Sequence, residues 1–224
     1  MSGSGRWRHK RDLTRRSAVR TASETFLIVT EGKTERAYFE GLRVRLGLAT
    51  IEVKVVDPDV TDPMGLVSKA KDLRSKRAQD VQTDSTLVPF DNAWVVFDLE
   101  APHGPRRPQA ASAIDHAHTA NVDCAPSDPS FEYWLILHHE FTTKLFASAR
   151  TAEQHLRENH MPSYSKGGKL PDSLFERVPV AVQNAAKCRN HRRSTDGTNP
   201  STDVDLLVSR LDGCAPVDSS LLRP

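Results

Sequence analysis

Apolar and polar positions along this chain switch repeatedly between two periods. Residues 25–30 form a short apolar, β-branched run that breaks at Glu31-Gly32. A run of that length bounded by glycine predicts a buried strand. From Thr34 onward Ala37, Tyr38, Leu42 and Leu46 recur at helical spacing, and Gly47 closes the helix as a C′ glycine. Residues 51–56 alternate, which predicts a second strand ended by Asp57-Pro58. Asp62 as N-cap and Pro63 at the first helical position open a helix to about Gln82. A strand over 92–97 follows. The Pro- and Gly-rich run 101–108 predicts a loop, 109–120 a helix and 121–125 a short strand. Pro129 then opens an apolar helix with Phe131, Trp134, Leu135 and Leu137 facing inward. This β-α-β-α-β-α-β-α order predicts an α/β fold, a mostly parallel sheet flanked by helices.

Beyond Phe141 the pattern changes. Residues 142–159 read as helix, 162–171 as loop, and 175–193 as a further helix despite Pro179. Residues 196–200 predict a turn, after which Ser201 or Thr202 caps a last helix to Leu211. No strand is read in this last third. The chain therefore divides into an N-terminal arm (1–23), an α/β core (24–141) and a helical C-terminal addition (142–224) packed on the core. A length of 224 residues suits one substantial core.

The net charge is only +2, but basic residues crowd the start of the chain. Arg6, Arg8, Lys10, Arg11, Arg15, Arg16 and Arg20 face the single acid Asp12. This reads as a flexible basic arm, either a nucleic-acid contact or a solvated tail without a partner. Cys124, Cys188 and Cys214 are odd in number and form no CxxC pair. That supports neither a zinc ribbon nor a disulfide framework and points to a reducing, cytoplasmic compartment. No apolar run approaches the roughly 18 to 20 residues of a membrane span, and no secretory h-region is present.

Chemistry enters at the strand ends. Glu31 closes the first strand, and Glu35 follows one helical turn later. Asp98 and Glu100, at i and i+2 in extended geometry, face one side of their strand. Two adjacent parallel strands ending in these acids gather Glu31, Asp98 and Glu100 at one sheet edge, where open α/β sheets bind ligands. Grouped oxygen ligands suit Mg²⁺ or Mn²⁺, and such ions promote phosphodiester cleavage. Spacing alone leaves open that these acids are solvated loop residues. Glu132 lies in the first turn of its helix, favoured there by the helix dipole in any case, yet close to the same edge. His138 and His139, a turn or more away, read as structural. Lys166-Gly167-Gly168-Lys169 has the shape of a phosphate contact without Walker A spacing. Lys33, Arg106, Arg107, Lys169, Arg189, Arg192 and Arg193 are the candidate nucleic-acid contacts, with a solvated surface as the alternative for the basic runs.

The stretch from Leu27 through Glu31-Gly32-Lys33-Thr34-Glu35 to Phe39 resembles the opening motif of the RloB family, a bacterial family with a Toprim-like fold. Val95-Val96-Phe97-Asp98-Leu99-Glu100 sits where that family has an aspartate-rich strand end. The stretch from Ser127 to Leu135, with His138, is similar to its "SNPxFExWLLLH" signature. Tyr164-Ser165-Lys166 and the run from Asn199 to Val204 resemble its later motifs. The resemblance covers about residues 24–211 in order. It implies a Toprim-like catalytic core with Glu31, Asp98 and Glu100 at the metal positions. The family usually has Asp-x-Asp, whereas Glu100 stands second here, and its longer arm shifts the carboxylate.

The resemblance further implies a Mg²⁺-dependent nuclease of bacterial anti-phage defence or abortive infection, often encoded beside an ATPase that would be its partner. In that reading Glu31 is metal ligand or general base, Asp98 and Glu100 hold the ion, Glu132 is a further ligand, and Lys166 stabilises developing negative charge. The alternative is a non-catalytic Toprim-like subunit that binds nucleic acid or regulates a partner ATPase. Nucleotidyl transfer as in primases ranks lower, because the chain is small and lacks a zinc-binding module.

Overall fold

Phe26–Thr30 (β1) is buried at every position, so neither of its faces meets water. That is the environment of a central strand in a parallel sheet covered on both sides. A computed structural model, which describes residues 24–55, 62–100, 106–195 and 199–213, places β1 in a five-stranded sheet. Its neighbours are Ile51–Val55 (β2) on one side and Asn92–Asp98 (β3) on the other. Asp123–Asp128 (β4) follows β3, and the two-residue strand Ser201–Thr202 (β5) closes that edge. All pairings are parallel except β4 with β5. The α/β reading and the mostly parallel sheet are as expected.

Alternation along the strands sorts the core into two layers. Leu27, Val29, Ala93, Val95 and Phe97 pack on one face with residues of Pro63–Thr83 (α2) and Arg106–Thr119 (α3). Phe26, Ile28, Trp94 and Val96 pack on the other with Lys33–Leu46 (α1) and Phe131–Leu137 (α4). The same cluster takes in Ala149–Asn159 (α5), Asp172–Glu176 (α6), Val178–Thr195 (α7) and Val204–Gly213 (α8). Local signals act where expected. Gly47 adopts φ 64° and its N–H closes α1, and the Asp62 carboxylate accepts from the Gly65 N–H at 2.8 Å.

Several expected boundaries move. Helix α3 begins at Arg106, not Gln109, because Pro108 falls in the first turn, where a missing N–H costs nothing. Pro179 is accommodated the same way as the second residue of α7, and the single helix expected over 175–193 is broken at Arg177 into α6 and α7. The helix expected from Thr142 starts only at Ala149, behind a Ser148–Thr151 capping box. Strand β4 runs three residues past Ala125, while Asn121, expected in the strand, turns at φ 53°. The C-terminal third does contain a strand. Ser127 and Thr202 hydroxyls hydrogen-bond at 2.9 Å, and the Asp203 N–H donates to the Pro126 carbonyl at 3.0 Å, so β5 zips onto β4. The expected basic arm, the loop over 101–105, the turn residues 196–198 and Cys214 lie outside the described residues. Among the described residues no helix is long and apolar enough to cross a membrane.

Candidate active site

The carboxyl ends of β1 and β3 adjoin, with Thr30 opposite Val96. Just beyond them lies an open cavity of about 430 Å³, lined by Glu31, Gly32, Lys33, Thr34, Glu35, Asp98, Glu132, Lys166 and Gly167. Glu31 is the first residue past β1, and its N–H donates to the Val96 carbonyl at 3.3 Å. Asp98 ends β3, and its Oδ1 accepts from the Phe131 N–H at 2.9 Å, which ties it to the start of α4. Glu35 occupies the first turn of α1 and is 6% exposed. A Cβ on Gly32 would collide with the Glu35 carboxylate, so a larger residue here would push the end of that side chain aside.

Glu132 is held tightly from three sides. Its Oε2 accepts from Ser130 Oγ at 2.5 Å, its Oε1 accepts from Tyr164 Oη at 2.8 Å, and Lys166 Nζ lies 3.6 Å from Oε1. The Gly167 N–H donates to Thr34 Oγ1 at 2.9 Å, anchoring the glycine loop against α1. Gly167 itself sits at φ 72°, close to Lys33. Tyr164 and Lys166 thus reach the sheet edge from the C-terminal third.

Four acids share this small space, and the titration of Glu31, Glu35 and Asp98 reflects it. Burial, with Glu132 and Glu31 nearby, pushes the Glu35 carboxyl up to about 7. Burial, then Glu35, Glu132 and Glu31, holds Asp98 well above the usual carboxylate range. Burial also raises Glu31, against the pull of the Arg106 guanidinium. Desolvation works against the Lys166 ammonium, but Glu132, Asp98, Glu153 and Glu35 outweigh it and hold its pKa above normal, so it stays cationic. Repelling, partly desolvated oxygen donors are the chemistry a hard divalent cation neutralises.

Glu100 departs from the expected arrangement. Extended geometry ends at Asp98; Glu100 turns left-handed at φ 59°, its N–H bonded to the Pro129 carbonyl at 2.8 Å. Its exposed side chain lies outside the cavity lining and reaches Arg106 at 3.4 Å. The i, i+2 argument that put Asp98 and Glu100 on one centre fails because the strand stops. Glu35, which the spacing allowed to face this edge, supplies the additional carboxylate.

The basic candidates separate. Lys33 is exposed at the cavity rim, and Lys169 is exposed. Arg106 is 12% exposed and bridges Glu31, Glu100 and the Asp98 carbonyl, the last through Nε at 2.7 Å. Arg107 pairs with buried Asp128 at 2.5 Å, and Arg189 with Asp205 at 2.5 Å and Asp203 at 3.5 Å. Arg192 and Arg193 lie on α7, outside the cavity lining, with Arg193 exposed. His138 is fully buried. Its Nδ1 lies 3.0 Å from the Trp134 carbonyl, so it must donate there, which leaves Nε2 to accept from Tyr38 Oη at 3.1 Å. Burial lowers its pKa to about 3, so it is a neutral packing residue.

Sequence reading missed one constellation. Glu140, His155 and His160 present ligand atoms all within 4.8 Å of one another. The four carboxylates around the cavity do not form so tight a group. The His-x₄-His spacing at the end of α5 was the available signal, but Glu140 is distant in sequence.

The fold and site together define an α/β protein with a carboxylate-lined cavity at the carboxyl edge of a mostly parallel sheet. The sequence profile of the RloB-like proteins matches residues 26–211, and the chain belongs to the RloB-like family. Searches of curated proteins and of solved structures returned no match.

Proposed function

We propose that this chain is a divalent-cation-dependent nuclease that hydrolyses nucleic-acid phosphodiesters. The observation that carries this reading is the convergence of Glu31, Glu35, Asp98 and Glu132, with Lys166, on one open cavity. Glu31, Glu35 and Asp98 would hold Mg²⁺ or Mn²⁺. When bound, the ion supplies positive charge that offsets these carboxylates and the phosphate. Lys166, kept cationic by its acidic neighbours, faces the negative charge that develops on the phosphoryl oxygens. Glu132, fixed by Ser130 and Tyr164, orients that ammonium. Lys33 at the rim contacts a flanking phosphate. A role in bacterial anti-phage defence beside an ATPase partner follows from the Toprim-like RloB resemblance and belongs to the same proposal. The test is cleavage of DNA, mRNA and tRNA with Mg²⁺ or Mn²⁺, comparing the native chain with Glu31→Ala and Asp98→Asn. Cleavage should vanish in both variants; cleavage that survives both sinks the assignment.

One observation favours the second reading, a non-catalytic subunit that binds nucleic acid or a partner ATPase. Arg106 already pairs with Glu31, and such a bridge neutralises part of the cluster without a metal. Calorimetry separates the two: no Mg²⁺ binding with retained nucleic-acid or ATPase binding supports the subunit.

A further inference from the structure

Away from the cavity, the corner between α4 and α5 carries its own ligand set. Glu140 follows α4, His155 lies on α5, and His160 caps the end of α5. His155 Nε2 is 2.8 Å from Glu140 Oε1, and His160 Nε2 is 3.5 Å from the same oxygen. Zinc bound to nitrogen and oxygen at about 2.0–2.2 Å in a tetrahedron sets ligand atoms roughly 3.3–3.5 Å apart. One observed separation lies below that range and the other at its upper end, and all three ligand atoms lie within 4.8 Å of one another, so side-chain adjustments suffice.

Further features mark these groups as more than a solvated cluster. His160 Nε2 is buried and makes no well-aligned hydrogen bond, only the 3.5 Å contact with Glu140 Oε1; His139 Nε2 is buried and has no hydrogen-bond partner among the described residues. The His139 ring stacks on that of His160, centroids 5.0 Å apart and 9° from parallel, which fixes the His160 ring plane. His155 Nδ1 lies 3.2 Å from the Asn159 side-chain amide. The same Asn159 Nδ2 donates to the His155 carbonyl at 2.9 Å, which anchors the amide beside the imidazole.

We propose that Glu140, His155 and His160 bind one Zn²⁺, leaving a fourth position for water. Two imidazoles and one carboxylate suit a borderline ion and disfavour Mg²⁺, which prefers oxygen alone. The ion ties the segment after α4 to the end of α5. It thereby braces the start of the 161–171 segment, which carries Tyr164 and Lys166 to Glu132. The site stands independently of the nuclease reading.

The experiment uses the full chain, stripped with EDTA and titrated with Zn²⁺ by calorimetry, with metal content measured after dialysis. With excess Mg²⁺ present to occupy the carboxylate cavity, one equivalent should bind to the native chain, with a rise in melting temperature. Affinity should drop at least tenfold in His155→Ala and in His160→Ala. Co²⁺ in place of Zn²⁺ should give the strong visible bands of a four-coordinate ion, a readout that needs no variant to fold. Absence of stoichiometric zinc, Co²⁺ bands of a six-coordinate ion only, or undiminished binding in the folded double variant would each overturn the proposal.

Discussion

Glu35→Gln removes a buried carboxylate while keeping its shape, and the cost of that carboxylate can be worked out. Its pKa rises from the ordinary 4.5 to about 7, through burial first and then repulsion from Glu132 and Glu31. The folded chain therefore holds a proton between those pH values that the unfolded chain has released. Stability falls as pH climbs through this window, and above it the loss is complete. At 1.36 kcal/mol per unit, the ionised carboxylate costs the metal-free fold about 3 kcal/mol. For a protein of this size that is about 6–12 °C in melting temperature. Urea unfolding in EDTA, followed by circular dichroism at pH 5 and pH 8, measures it. The native chain should lose stability between the two, in part through Asp98 and Glu31, whose pKa values are raised as well. Glu35→Gln should be more stable than the native chain at pH 8, with a flatter pH dependence, because it also relieves Asp98. Adding Mg²⁺ should narrow the gap by stabilising the native chain more than the variant. A variant less stable than the native chain at pH 8 in EDTA refutes the reasoning, since it would mean that Glu35 is ionised and well compensated in the fold.

Gly32→Ala forces a methyl into the Glu35 carboxylate and should cost about 1–3 kcal/mol by overpacking; thermal melts of Gly32→Ala in the native and Glu35→Ala backgrounds should show a smaller cost in the latter. Glu100→Gln should leave Mg²⁺ affinity within about threefold while Asp98→Asn lowers it at least tenfold, measured by calorimetry, because only Asp98 lines the cavity. Asn199→Ala strips contacts from Asp128 Oδ1 and from both backbone groups of Phe146, and should lower stability by about 2–4 kcal/mol in urea unfolding, the orphaned buried groups dominating.

Part of the candidate site is legible from local pattern and part is not. Glu31 and Asp98 follow from strand ends, because a buried apolar run must stop where water begins and its last polar residue lies at the sheet edge. Glu100 fails the same logic by two residues, since the chain leaves extended geometry once its N–H pairs with Pro129. Tyr164 joins Glu132 across a sequence distance of 32 residues, a contact no periodicity encodes. The motif from Asn199 to Val204 reads as a turn and a cap, yet it builds β5 and ties Asp128 down through Asn199.

What the chain determines alone is what acts within a turn or a strand: Asp62 and Pro63 starting α2, Gly47 ending α1, and the unbroken apolar run that lets β1 bury both faces. These rest on interactions a few residues long, and they hold wherever the segment is placed. Which strands adjoin, which acids share a cavity and which cations are already paired depend on packing between distant segments. Arg106 and Arg189 look alike in sequence to Arg193, but the first two are spent on carboxylates brought to them by the fold. Desolvation follows the same rule: Glu35 titrates near neutrality because α1, α4 and the glycine loop close around it, a property of assembled surfaces that no single segment carries.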